Sequence, residues 1–122
     1  MASGRTVSET TDAAAARNFS GPARGDISLA PVLAALSDPM RLEIVRKLAN
    51  GCELSCGSLG PHVAKSTLTH HLKVLREAGV IIQRPVGTSR MTCLRREDLD
   101  ARFPGLLDSV LAAAAAKRAR AR

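Results

Sequence analysis

Tryptophan and tyrosine are absent from the 122 residues, and phenylalanine occurs only twice. Apolar residues still make up 45% of the chain, so any core must come from Ala, Leu, Val and Ile. Such an aliphatic inventory favours packed helices over a sheet sandwich, whose strands draw on aromatic and β-branched residues. No stretch approaches the roughly 20 apolar residues of a membrane span. The opening MASGRTVSETTDAAAARNFSG lacks the apolar run of a secretory signal. A cytoplasmic location is therefore expected, with Cys52, Cys56 and Cys93 as reduced thiols. No nucleophile, base and orienting residue converge in the pattern, so an enzyme is not expected.

Positive charge, by contrast, is plentiful and unevenly placed. The formal net charge is +7, yet residues 1–64 cancel, with six basic and six acidic side chains. Residues 65–95 set Lys65, Lys73, Arg76, Arg84, Arg90 and Arg95 against Glu77 alone. Residues 96–108 are net acidic, and the end of the chain adds Lys117, Arg118, Arg120 and Arg122. A basic block inside a folded segment is the footprint of a polyanionic partner. A soluble surface with a basic bias is the plainer alternative.

Residues 1–26 are rich in Ala, Ser, Thr, Gly and Arg without a sustained apolar period, and read as a flexible arm with Phe19 as a candidate anchor. From Ile27 onward, Leu29, Val32, Leu33 and Leu36 fall at helical spacing. In SDPMRLEIVRKLANG, Ser37 or Asp38 can cap a second helix, Pro39 suits its first turn, and Asn50-Gly51 can end it. CELSCGSLGPHVA is broken by Gly57, Gly60 and Pro61 and holds at most one short helix. KSTLTHHLKVLREAGV then runs helically to Gly79. VIIQRPV and RMTCLR around GTS predict a β-hairpin, with Pro85 on an edge strand. REDLDARFPGLLDSVLAAAAAKRARAR predicts a final helix, interrupted at Pro104-Gly105, with Leu106, Leu107, Val110 and Leu111 on its apolar face. The order is helix, helix, short helix, helix, hairpin, helix. That is a mainly α fold with a β-hairpin wing, a winged helix-turn-helix over residues 27–116, followed by a basic tail at 117–122.

The helix after Lys65 carries the chemistry. At about 100° per residue from Ser66, Leu68, Leu72 and Leu75 gather near 200°, which is the core face. Ser66, Thr69, His70, Lys73 and Glu77 gather around 0° on the opposite side, whereas His71 falls near 140° beside the core stripe. Neighbouring residues on a helix do not face one another, so the doublet cannot hold one metal ion. His71 is expected to be half-buried and hydrogen-bonded. His70 is expected on a face that meets DNA, a merely solvated face being the alternative. Lys65, Ser66, Thr67, Thr69, His70 and Lys73 are the candidate DNA contacts on this helix, because hydroxyls and N–H groups at a helix start can bond phosphates or base edges. Arg84 and Arg90, flanking Gly87-Thr88-Ser89, are the candidates on the wing, although lone strand arginines are often only solvated.

ALSDPMRLEIVRKLANG, then STLTHHLKVLREAGVI, then a hairpin with Gly at its turn, resembles the ArsR/SmtB family of winged-helix bacterial repressors across about residues 29–111. The family's recognition helix reads Ser-x-x-Thr-Val-Ser-x-His-Leu-x-x-Leu. Thr67, Leu68, Thr69, His71, Leu72 and Leu75 stand at its later positions, while Ala64 replaces its first Ser. The resemblance implies a homodimer that represses promoters by occupying double-stranded operator DNA until a signal releases it. It also implies pairing through the first and last helices, which makes Leu29, Val32, Leu33, Leu36, Leu107, Val110 and Leu111 the dimer-face candidates. Each is otherwise ordinary monomer core. A winged-helix protein-interaction module without specific DNA binding is the rival function.

The usual metal sites of that family look absent here. Its thiolate motif, Glu-Leu-Cys-Val-Cys-Asp-Leu, aligns with Glu53-Leu54-Ser55-Cys56-Gly57-Ser58-Leu59, so Ser55 and Gly57 occupy the ligand positions. The final helix has no histidine, since none follows His71. Cys52 and Cys56 leave three readings open: a soft-metal site with Cys93 or His62, a thiol-oxidation switch, or unremarkable reduced thiols.

Overall fold

A computed structural model describes residues 21–50, 53–55 and 63–121. Helix α1 (Leu29–Leu36) carries Pro31 in its first turn, where no intrahelical N–H is needed. The two candidate caps at Ser37 and Asp38 divide the work. The Ser37 hydroxyl donates to the Ala34 carbonyl at 2.6 Å and closes α1. The Asp38 carboxylate accepts from the Arg41 N–H at 3.1 Å and caps α2 (Pro39–Asn50), in which Pro39 is the first residue.

Helix α3 (Lys65–Ala78) ends at Gly79, whose φ of 91° is left-handed. The Gly79 N–H reaches the Arg76 carbonyl at 3.1 Å and the Val80 N–H reaches Leu75 at 3.0 Å, the paired bonds of a Schellman stop. Strands β2 (Ile81–Val86) and β3 (Ser89–Leu94) form the expected hairpin, with Val86 opposite Ser89. Gly87, at φ 62°, takes the first of the two turn positions, where a type II′ turn requires it. Pro85 lies on an edge strand, because β3 sits between β2 and a short strand β1 (Glu53–Ser55) in the sheet order β1-β3-β2. Helices α4 (Arg96–Arg102) and α5 (Leu106–Ala121) follow, separated at Pro104-Gly105.

The core is aliphatic and shared by every helix. Val32, Ala35 and Leu36 of α1 and Ile44, Val45 and Leu48 of α2 meet Leu68, Leu72 and Leu75 of α3. Val80, Ile81 and Leu94 close it from the sheet, and Leu99 and Leu107 from the last two helices. Among the described residues no helix is long and apolar enough to cross a membrane.

Four features depart from expectation. Residues 21–26, counted with the arm, instead form a strap with a 3-10 turn at Arg24–Asp26. Arg95 donates to the Pro22 carbonyl at 2.6 Å, Arg24 pairs with Asp98 at 2.6 Å, and Arg102 donates to the Ile27 carbonyl at 2.9 and 3.1 Å. These bonds seat Ile27, fully buried, against the end of α3. Glu53–Ser55, placed in a segment holding at most a helix, form strand β1, antiparallel to β3 with Leu54 opposite Thr92. Three residues are too few for alternation to show. The basic tail is also not separate at 117, since the α5 backbone stays helical to Ala121, as the Ala-rich run favours. The fourth departure concerns the dimer face: Val32, Leu36 and Leu107 are 1%, 6% and 2% exposed, consumed by the core of the single chain. The short helix proposed for the glycine-rich segment, Phe19, and the remainder of the arm lie outside the described residues.

Candidate nucleic-acid interface

Packing Leu68, Leu72 and Leu75 inward turns the opposite side of α3 to solvent. Lys65, Ser66, Thr67, Thr69, His70 and Lys73 are all exposed there. Ala64, where the related pattern has Ser, offers no side-chain cap to the first-turn N–H groups. Those donors and the positive helix end therefore face the same way as the Ser66 and Thr67 hydroxyls.

The histidine doublet separates as the angular count requires, the two rings being 5.9 Å apart and tilted by 53°. His70 points outward. The His71 side chain is 13% exposed, and its Nδ1 lies 3.9 Å from the Asp38 carboxylate. An Arg41 Nη donates to that Nδ1 at 3.2 Å. The same guanidinium donates to the carbonyls of Ala35 at 2.7 Å and Ala34 at 3.5 Å. Arg41 thus ties the end of α1, the start of α2 and the middle of α3 together. Burial alone would raise the Asp38 carboxyl, but hydrogen bonds from the N–H groups of Arg41 and Met40 and the charge of the Arg41 guanidinium outweigh it and hold it below the ordinary range.

On the wing, Arg84 and Arg90 are exposed but do not share a face. Arg84 sits opposite Met91, whereas Arg90 sits opposite Pro85. Alternation puts Arg90 on the same face as buried Gln83 and Thr92, which look toward α3, and Arg84 on the other. Sequence reasoning missed the bridge beneath Arg90. An Arg76 Nη donates to Gln83 Oε1 at 3.0 Å, and Gln83 Nε2 donates to Thr92 Oγ1 at 3.2 Å. The only sequence signal was a Gln and a Thr at inward positions of two predicted strands.

Of the dimer-face candidates, Leu29 and Leu33 stand 46% and 45% exposed, one turn apart on α1. Val110 and Leu111 are half-buried beside the core. Cys52, Cys56 and His62 lie outside the described residues, and Cys93 is half-buried on β3. Among the described residues no group of three or more His, Cys, Asp and Glu side chains could hold a metal ion.

Residues 36–84 match the sequence model of a helix-turn-helix domain. The uncharacterized HTH-type transcriptional regulator YceK of Bacillus subtilis (strain 168) is 38% identical over 84 residues, covering 66% of this chain and 84% of that protein. The arsenical resistance operon repressor of Staphylococcus xylosus is 39% identical over 74 residues, covering 59% of this chain and 70% of that one. Among solved structures, a homodimeric winged helix-turn-helix DNA-binding domain from Mycobacterium bovis, described as a possible ArsR-family transcriptional regulator, superposes with a TM-score of 0.57 at 29% identity, over 66% of this chain and 75% of its own. With the helix order, the hairpin and the exposed face of α3 in agreement, the chain belongs to the ArsR family of winged helix-turn-helix transcriptional regulators.

Proposed function

We propose that the chain works as a homodimeric repressor, occupying double-stranded operator DNA and leaving it when a signal arrives. The observation that carries this reading is the exposed polar row on α3, Lys65, Ser66, Thr67, Thr69, His70 and Lys73, opposite its buried leucine stripe. Ser66, Thr67, Thr69 and His70 are assigned to base edges at the start of the helix. Lys65, Lys73, Arg84 and Arg90 are assigned to phosphates, which give affinity without sequence information. Leu29 and Leu33 of α1 are assigned to the contact between two copies, a role in keeping with the homodimeric Mycobacterium bovis domain. Two recognition helices would then enter major grooves about 34 Å apart. The Staphylococcus xylosus relative is named for an arsenical resistance operon, and the signal here is assigned to Cys52 and Cys56.

The test is a set of binding isotherms on duplexes selected from a random pool and on unselected DNA, over a range of salt. Lys73→Ala should weaken binding to both and reduce the salt slope by about 1. Thr69→Ala and His70→Ala should each lose about 1 to 3 kcal/mol on the selected duplex and little on unselected DNA. Equal losses on both DNAs for all three variants would refute the division of roles.

A further inference from the structure

Gln83 and Thr92 are the buried polar side chains among the described residues, 5% and 0% exposed, in a core that is otherwise aliphatic. They face each other directly across β2 and β3. Both ends of the Gln83 amide are used, its oxygen by Arg76 of α3 and its nitrogen by Thr92. Stability alone does not call for this layer. Replacing both partners of a buried hydrogen bond by apolar groups of similar shape is nearly neutral, and often stabilising for ionic cores. What a hydrogen bond adds is direction. Apolar contact between a helix and a sheet is non-directional, whereas the Arg76 to Gln83 bond weakens steeply as its angle opens.

The position of the layer matters as much as its chemistry. It lies where α3 meets the root of the wing, one residue pair inward of Pro85 and Arg90 on the same face. Gly87 at the turn is four residues beyond Gln83, about 13 Å of strand. A tilt of about 10° at the layer therefore moves the tip by about 2 Å, enough to break a hydrogen bond to a phosphate.

We propose that the Arg76–Gln83–Thr92 bridge is a positioning device for DNA binding: it sets the wing's angle against the recognition helix and so places Arg90 on the duplex. The inference rests on the DNA-binding reading above. Arg76 acts through the wing, as a positioning residue.

The test is a double-mutant cycle on a duplex selected from a random pool by the wild-type chain. The replacement Gln83→Leu/Thr92→Val makes the layer apolar and should melt within a few degrees of wild type. Arg90→Ala, expected to weaken wild-type binding about fivefold, should weaken this background less than about twofold, because its wing is no longer held in place. Thr69→Ala should weaken both backgrounds equally. Gln83→Glu keeps an acceptor for Arg76 and should restore the native response to Arg90→Ala. Arg76→Met removes the same bond from the half-buried end, leaves the hairpin pair intact, and should behave like the apolar layer even if that variant folds poorly. Residual dipolar couplings of the free chain should show β2 and β3 reoriented relative to α3 in Arg76→Met. An Arg90→Ala effect of the same size in every background overturns the inference, as does an unchanged wing orientation. A wild-type chain that selects no duplex overturns the DNA reading and this inference together, and is recognised without any variant.

Discussion

Gly79 ends the recognition helix and receives the N-terminal strap, and Gly79→Ala should damage both at once. An alanine at φ 91° carries the left-handed penalty of about 1 kcal/mol. Its Cβ would also stand 2.6 Å from Ile27 Cγ1, 3.0 Å from Ile27 Cδ1 and 3.2 Å from Pro22 Cγ. Ile27 is fully buried and cannot swing into solvent, so the strap must move or the core must repack, at about 1 to 3 kcal/mol. Together the loss is about 2 to 4 kcal/mol, a large part of the roughly 5 to 15 kcal/mol that holds a domain folded. For a domain near 100 residues this lowers Tm by roughly 10 to 25 °C. Gly87→Ala is the control: φ is 62°, but nothing lies within 4 Å, so only the backbone penalty of about 1 kcal/mol applies. Thermal unfolding followed by circular dichroism separates the two. A second cycle isolates the clash, since Gly79→Ala combined with Ile27→Ala should lose about 1 to 2 kcal/mol less than the two single losses added. Equal Tm shifts for Gly79→Ala and Gly87→Ala, or strict additivity with Ile27→Ala, would show that the strap is not seated on Gly79.

Leu33→Glu places a carboxylate on the exposed α1 stripe; sedimentation should show a dimer turned monomer with the melting temperature little changed, and an unaltered dimer would move the interface elsewhere. Asp98 answers to acid. Burial alone would raise its carboxyl, but hydrogen bonds from Arg24 and Arg95 outweigh burial and hold it below the ordinary range. A depressed carboxyl stabilises the fold fully above the unfolded pKa and loses that contribution as pH falls through the folded one. Asp98→Asn should therefore be less stable than wild type at neutral pH by about 1 to 3 kcal/mol, with the gap closing as the solution is acidified below about pH 4. A gap that stays constant with pH would exclude the linkage. For the signal, DNA affinity of reduced, peroxide-treated and zinc- or arsenite-loaded protein should differ, and Cys52→Ser or Cys56→Ser should abolish the difference; affinity that never changes removes both thiols from the switch.

Much of the fold was legible because it follows from local rules. The 3.6-residue period of Leu68, Leu72 and Leu75, the Pro39 and Gly79 punctuation, and the Gly87 turn each act over a few residues. Elements decided by distant partners were not legible. β1 is a strand only because β3 has an edge to offer, and three residues carry no period of their own. The strap at 21–27 is ordered by Arg95, Arg102 and Asp98, more than seventy residues away. No composition rule applied to GPARGDI could anticipate carbonyl oxygens meeting those guanidinium groups. The apolar residues of α1 show the same limit from the other side. Helical spacing gathers Leu29, Val32, Leu33 and Leu36 on one half of the helix. Only the packing of α2 and α3 reveals that Val32 and Leu36 are consumed within the chain while Leu29 and Leu33 are left over.

The candidate site divides along the same line. Residues that face outward were named in advance, because exposure on α3 is the complement of a hydrophobic stripe. The residues that hold those side chains in place were not, because a side chain that acts sideways between elements has no periodic signature. Arg41 looks like any solvated helix arginine, yet it bonds to α1 and to His71 of α3. Arg76 belonged to a basic block read as polyanion-facing, yet its guanidinium is turned to Gln83 on the wing. Counting positive charge therefore overstates the DNA face: part of the block is spent on internal geometry. A salt slope fitted to every basic residue between Lys65 and Arg95 would be too steep, because Arg76 is bonded to Gln83 and Arg95 to Asp98 and the Pro22 carbonyl.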